Sequence, residues 1–165
     1  MNRTILARVS TRPRLGTALL LLAATLSCQS TTFSSPYWEA VQAELNRRYN
    51  LWLAAAPAHY EYRFHRQCAC DTNLTREVIV EVRDTTLITV TYTDGSGTVP
   101  ASSFESYFTV KGLFQQVQHA INLLADSLVV QYDPVMHYPR VILGDPNQLL
   151  DGDELGLFAD SLVAK

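Results

Sequence analysis

The chain has 165 residues, 13 Lys and Arg against 16 Asp and Glu, a formal net charge of −3 and 47% apolar residues, which is enough for one domain with a real core. The first 27 residues hold four arginines and no acid, so the remaining 138 carry nine basic against 16 acidic groups, a net charge of −7. That balance argues against nucleic acid as a partner, because phosphate binding needs a basic face.

Arg3, Arg8, Arg12 and Arg14 precede an apolar run from Thr17 to Leu26, and the segment closes with Ser27 and Cys28. A run of roughly ten residues falls short of the ~20 that cross a bilayer as a helix. A basic start, a short apolar stretch and a small residue before the cut read as an export signal. With cysteine directly after Ser27, the segment resembles a bacterial lipoprotein signal spanning residues 1–27. The resemblance implies cleavage before Cys28, lipidation of Cys28 and attachment to the membrane of the cell envelope. Gln29 rather than Asp follows the cysteine, which for a Gram-negative cell implies the outer membrane, periplasmic side. Residues 28–36 are short, polar side chains ending in Pro36 and read as a tether.

The domain is expected over residues 37–165. Trp38, Val41, Leu45, Tyr49 and Trp52 form one stripe of an amphipathic helix, with Ser35 placed to cap it, Pro36 at its first position and Pro57 to stop it. The two Trp read as core. Tyr60, Tyr62 and Phe64 alternate with His59, Glu61, Arg63 and His65, as in a strand with one buried face. Val78, Val80 and Val82 make a second strand, and Ile88, Val90 and Tyr92 a third, joined as an antiparallel hairpin. Asp94-Gly95-Ser96-Gly97 ends that strand as a turn, and residues 94–107 read as a looser loop. A second helix is expected from Val110 to Ala125, capped by Thr109, with Val110, Phe114, Val117, Ile121 and Leu124 on one face. Leu128–Tyr132 and Val141–Leu143 follow as β-type runs. The tail has two readings. Asp151 with Glu154 fits a capping box opening a helix with Leu155, Phe158 and Leu162 inward; alternatively, residues 155–163 form an edge strand. The order predicts an α+β domain, an antiparallel sheet of about five to six strands with two helices packed on one face.

Cys68-Ala69-Cys70 is the sharpest local motif. Exported cysteines meet an oxidising compartment, and with Cys28 taken by lipid, Cys68 and Cys70 remain as an even pair. A disulfide between them reads as a clip on the loop between the first two strands; a redox-active or metal-responsive pair is the alternative. His59 and His65 share a strand face but stand about 20 Å apart, too far to share a metal. They, His119 and His137 read as solvated. No nucleophile elbow, zinc-protease motif, phosphate loop or dinucleotide fingerprint occurs, so no catalytic residues and no cofactor are assigned. Asp145, Asn147, Asp151, Asp153 and Glu154 supply oxygen atoms of the kind calcium takes, but their spacing departs from an EF-hand loop and a solvated turn is the default. Glu61 with Arg63 or Arg66 reads as a surface ion pair.

Taken in order, Tyr60-Glu61-Tyr62, Cys68-Ala69-Cys70, Tyr132-Asp133-Pro134, Tyr138-Pro139 and Asp145-Pro146-Asn147 with Asp151 to Glu154 resemble domain of unknown function family 6174. Its members are small exported bacterial proteins, often lipoproteins. The resemblance runs from Trp38 to Leu162 and implies an extended final segment, with no assigned activity. His137 stands where a glycine usually precedes the Tyr-Pro step, and Gly152 separates acids that are usually adjacent. The expectation for function is a non-catalytic envelope lipoprotein that binds another protein or a small ligand. Apolar residues gathered on the sheet face that lacks helices would support that reading, and a uniformly charged face would weaken it.

Overall fold

The computed structural model describes residues 35–165; the expectations about Cys28 and its leader lie outside the described residues. Helix α1 (Pro36–Ala55) starts with Pro36 in the first turn, although Ser35 makes no side-chain cap. It is followed by β1 (His59–Gln67), a one-turn helix α2 (Thr72–Thr75) that the sequence did not announce, β2 (Val78–Arg83) and β3 (Thr86–Tyr92). A short 3-10 helix (Ala101–Ser106) occupies the expected loop. Helix α3 (Val110–Leu123), β4 (Ser127–Tyr132), β5 (Pro139–Asp145) and β6 (Leu155–Ala164) complete the chain.

The six strands form one sheet in the order β3-β2-β1-β6-β5-β4, and every neighbouring pair is antiparallel. The tail is therefore a strand, and not an edge: β6 sits between β1 and β5. Alternation explains the choice over a helix. Leu157 and Ala159 are buried while Phe158 faces the other way, paired with His65 and Val141. A helix reading would have put Phe158 inward with Leu155 and Leu162.

Helices α1 and α3 lie against the face formed by Tyr60, Tyr62, Phe64 and the valines of β2. Burial of Val78, Val80, Val82, Val90, Val110, Leu113 and Val117 at or below 1% exposure marks the centre of the core. Trp52 is core, edge-on to Tyr60 at 5.6 Å and to Tyr138 at 6.2 Å; Trp38 is half-buried against the same cluster. The tyrosine hydroxyls also find partners. Val110 N donates to Tyr60 Oη at 3.2 Å, and Tyr62 Oη donates to the Phe108 carbonyl, so β1 holds the start of α3. Thr109 caps α3 as expected, its Oγ1 accepting from Gly112 N at 3.1 Å.

Three departures have local causes. Ile88 is exposed because a bulge opposite Glu81 and Val82 pairs Val82 with Leu87, which turns Leu87 to the core instead. Leu124 leaves the apolar face because α3 ends at Leu123, with Leu124 in the left-handed region at φ 52°. His137, in the β4–β5 turn, takes φ 65°, in the left-handed region that favours glycine. Asp133 holds that turn, accepting from Val135 N and Met136 N at 2.9 and 2.7 Å.

Candidate ligand-binding cleft

The sheet face turned away from α1 and α3 divides into two unlike halves. Across β1, β2 and β3 it is polar apart from Ile79, and several of its charged groups pair within it. Glu81 lies 2.7 Å from His59 Nε2 and accepts from Thr89 Oγ1 at 3.0 Å. His59 first, and then Thr89, hold the Glu81 carboxyl below its ordinary value. Lys165 Nζ donates to Glu61 at 2.8 Å, and Arg63 lies 3.7 Å from Glu77. Glu61 thus pairs with Lys165, not with Arg63 or Arg66, because the β1–β6 register brings the C-terminus beside it.

Across β4, β5 and β6 the same face is largely apolar, with Gln131 and Asp160 as its polar members. Register puts Val129 opposite Leu143, and Val141 between Gln131 and Phe158. The His65 ring stacks on Phe158 at 4.5 Å with the planes 2° apart. Val129 is 49% exposed and Leu143 40%.

This apolar half runs into a cleft of about 490 Å³, within the range of small-molecule sites. Its floor is Gly156, where a Cβ would meet Phe158 Cε2 at 3.0 Å, Gln67 Cβ at 3.3 Å and Leu143 Cδ2 at 3.4 Å. Any side chain there would fill the notch. One wall is the Cys68–Ala69 segment; the other is Asp145, Gly152 and Glu154, with Ser127 at the margin. Cys68 and Cys70 are joined by a disulfide with their Cα atoms 5.2 Å apart. The bridge lies at the end of β1, and Gly152 at φ 92° approaches Ala69 from the other side. The two loops therefore frame one opening.

Three of the acidic loop's five oxygen-bearing side chains accept from its own backbone. Asp145 Oδ1 accepts from Asn147 N at 3.1 Å, Asn147 Oδ1 from Leu149 N at 3.0 Å, and Glu154 Oε2 from Gly152 N at 3.0 Å. Asp151 is exposed, and Asp153 Oδ1 is buried without a hydrogen-bond partner among the described residues. Desolvation, then the nearby Asp153, raises the Asp145 pKa. Among the described residues no three His, Cys, Asp or Glu side chains are placed to hold a metal ion together. Of the histidines, His119 is exposed, and His137 Nδ1 lies 3.2 Å from Arg48 Nη1.

Sequence reasoning named Cys68, Cys70, Asp145 and Glu154 only in separate motifs and did not bring them together. It passed over Gly156 and Leu143, which line the cleft, and Phe158, whose ring borders Gly156. Their signal was the pattern Gly156-x-Phe158 on a strand, legible only once the tail is read with period two.

A family model described as a family of unknown function (DUF6174) matches residues 44–164. No curated protein and no solved structure matches.

Proposed function

The chain belongs to this family of unknown function, and on that premise we propose that it is a non-catalytic cell-envelope lipoprotein, anchored through Cys28, that binds a protein or small ligand on its open sheet face. The observation that carries the reading is the division of that face. Several charged groups of its polar half pair within it, whereas Val129, Val141, Leu143 and Phe158 present contiguous apolar surface beside a 490 Å³ cleft. Exposed apolar surface next to a concavity is the arrangement of a binding site rather than of a solvated face. Burial of such side chains against a partner contributes about 25 cal/mol per Å² before the cost of association.

A photo-crosslinking residue at Leu143, in the intact envelope, is expected to yield one adduct identifiable by mass spectrometry. The same residue at Asn50, exposed on α1, should yield none, and Gly156→Val should abolish the Leu143 adduct by filling the notch. Equal labelling from both positions, or none from Leu143, would overturn the assignment.

A further inference from the structure

The ends of the elements are sorted between two poles. Gln42 and Gln118 exchange hydrogen bonds at 2.8 and 2.7 Å, and Tyr49 meets Phe114 at 4.9 Å, so α1 and α3 run antiparallel. The start of α1 therefore lies beside the end of α3. Tyr37 Oη donates to the Leu128 carbonyl at 2.9 Å, fixing the start of α1 at the start of β4. Gln148 N donates to Asp126 Oδ2 at 2.8 Å, which brings the 146–150 turn to the same place.

Four leucines stand at this pole. Leu123 and Leu124 end α3 at 58% and 64% exposure, while Leu149 and Leu150 are 91% and 56% exposed. None of the four belongs to the buried core or to the half-buried residues packed against it. Leu124 adopts φ 52°, ψ 49° at a helix end, where glycine or asparagine is the relaxed choice, and its side chain contributes nothing to the core. At the opposite pole Leu51 and Leu53 of α1, Val135 of the β4–β5 turn and Val163 of β6 are also exposed, at 36%, 58%, 75% and 49%, so the leucine pole is set apart by its two adjacent leucine pairs and by the tether rather than by exposure alone.

We infer that the leucine pole is the face the domain lays on the lipid bilayer. The proposal rests on the lipoprotein reading. Pro36 leaves the domain at this pole, and the eight steps from Cys28 to Pro36 span no more than about 28 Å even when extended. A lipid on Cys28 thus keeps this pole within about 28 Å of the membrane, nearer than the Val135 pole. The pole has Asp126, Asp145, Asp151, Asp153 and Glu154 and no Lys or Arg from 112 to 139 or from 141 to 164. The surface it fits is therefore zwitterionic lipid, entered by apolar tips, rather than anionic lipid held by charge.

The test uses the full chain, processed in a bacterial host and reconstituted in phosphatidylcholine vesicles carrying brominated acyl chains. Mass spectrometry first reads the lipid on Cys28. Leu149→Trp should then gain fluorescence that the bromines quench beyond the background of Trp38 and Trp52, while Val135→Trp should gain none that is quenched. A chain without lipid on Cys28 overturns the lipoprotein reading and this one with it. A lipidated chain whose added indole is unquenched at 149, or equally quenched at 135, overturns the docking face alone.

Discussion

Arg76 and Asp94 show how much one side-chain pair does at the exposed end of the β2–β3 hairpin. The guanidinium lies 3.6 Å over the Tyr92 ring and donates to Asp94 Oδ2 at 2.5 Å, and Asp94 Oδ1 accepts from Ser96 N at 2.9 Å. These bonds, Arg76's first, hold the Asp94 carboxyl down at about 2. A folded pKa below the unfolded one means the unfolded chain binds the proton more readily, so stability falls as pH falls through the window between them. The contribution of Asp94 is thus complete above the unfolded value near 3.8 and gone below about 2. Asp94→Asn should lower the urea midpoint at pH 7, and its deficit relative to the parent chain should shrink from pH 5 to pH 2. A deficit that stays constant over that range would show the carboxylate charge to be irrelevant. The turn itself was legible in Asp94-Gly95-Ser96-Gly97. Its clasp was not, because Arg76 comes from 18 residues away.

At the scale of elements, the helices and the first three strands follow from local pattern: the Trp38-to-Trp52 stripe, the Tyr60-Tyr62-Phe64 alternation and the Thr109 cap are all present. What period alone could not decide was the tail, since Leu155, Phe158 and Leu162 satisfy a helical spacing as well as a strand with mixed faces. Tertiary pairing decides it. With β1 and β5 both lacking a partner on one side, the last segment is drawn in as the central strand, and Gly156 becomes acceptable because Phe158 and Leu143 close over it. The cleft inherits this uncertainty of pattern: its floor is β6, so no local motif announces it. A chain truncated after Gly152 should consequently fail to fold, because two strands lose their hydrogen-bond partners and Leu157 and Ala159 leave the core. Circular dichroism should show no cooperative thermal transition. Retention of a transition within a few degrees of the parent would mean that β6 behaves as a dispensable edge.

For the molecule as a whole, the core is unusual in relying on tyrosines, and alkali is the condition that probes them together. Tyr62 is enclosed entirely, and burial pushes its hydroxyl well above the ordinary value of 10. Burial likewise raises Tyr60, Tyr107 and Tyr138, and takes Tyr132 to about 12. A phenolate in these places would lose its hydration, which the arginines near Tyr107, Tyr132 and Tyr138 only partly offset, and the Tyr62 hydroxyl could no longer donate to Phe108. The native chain therefore keeps protons that the unfolded chain releases near pH 10, and stability falls as pH rises. Each such tyrosine contributes at most about 1.4 kcal/mol per pH unit to that fall, so their contributions add against a marginal stability as pH rises above 10. Absorbance at 295 nm, followed with far-ultraviolet circular dichroism from pH 9 to pH 12, should show a steep step in tyrosine ionisation coincident with loss of secondary structure. Tyr62→Phe should move that step to higher pH by removing the most enclosed of the five groups, while lowering the urea midpoint at pH 7 by about 1 kcal/mol of stability through the lost hydrogen bond. Gradual ionisation of all eight tyrosines with the fold intact would show that the hydroxyls reach solvent, and that the tight β1–α3 junction described by Tyr60 and Tyr62 is open in solution.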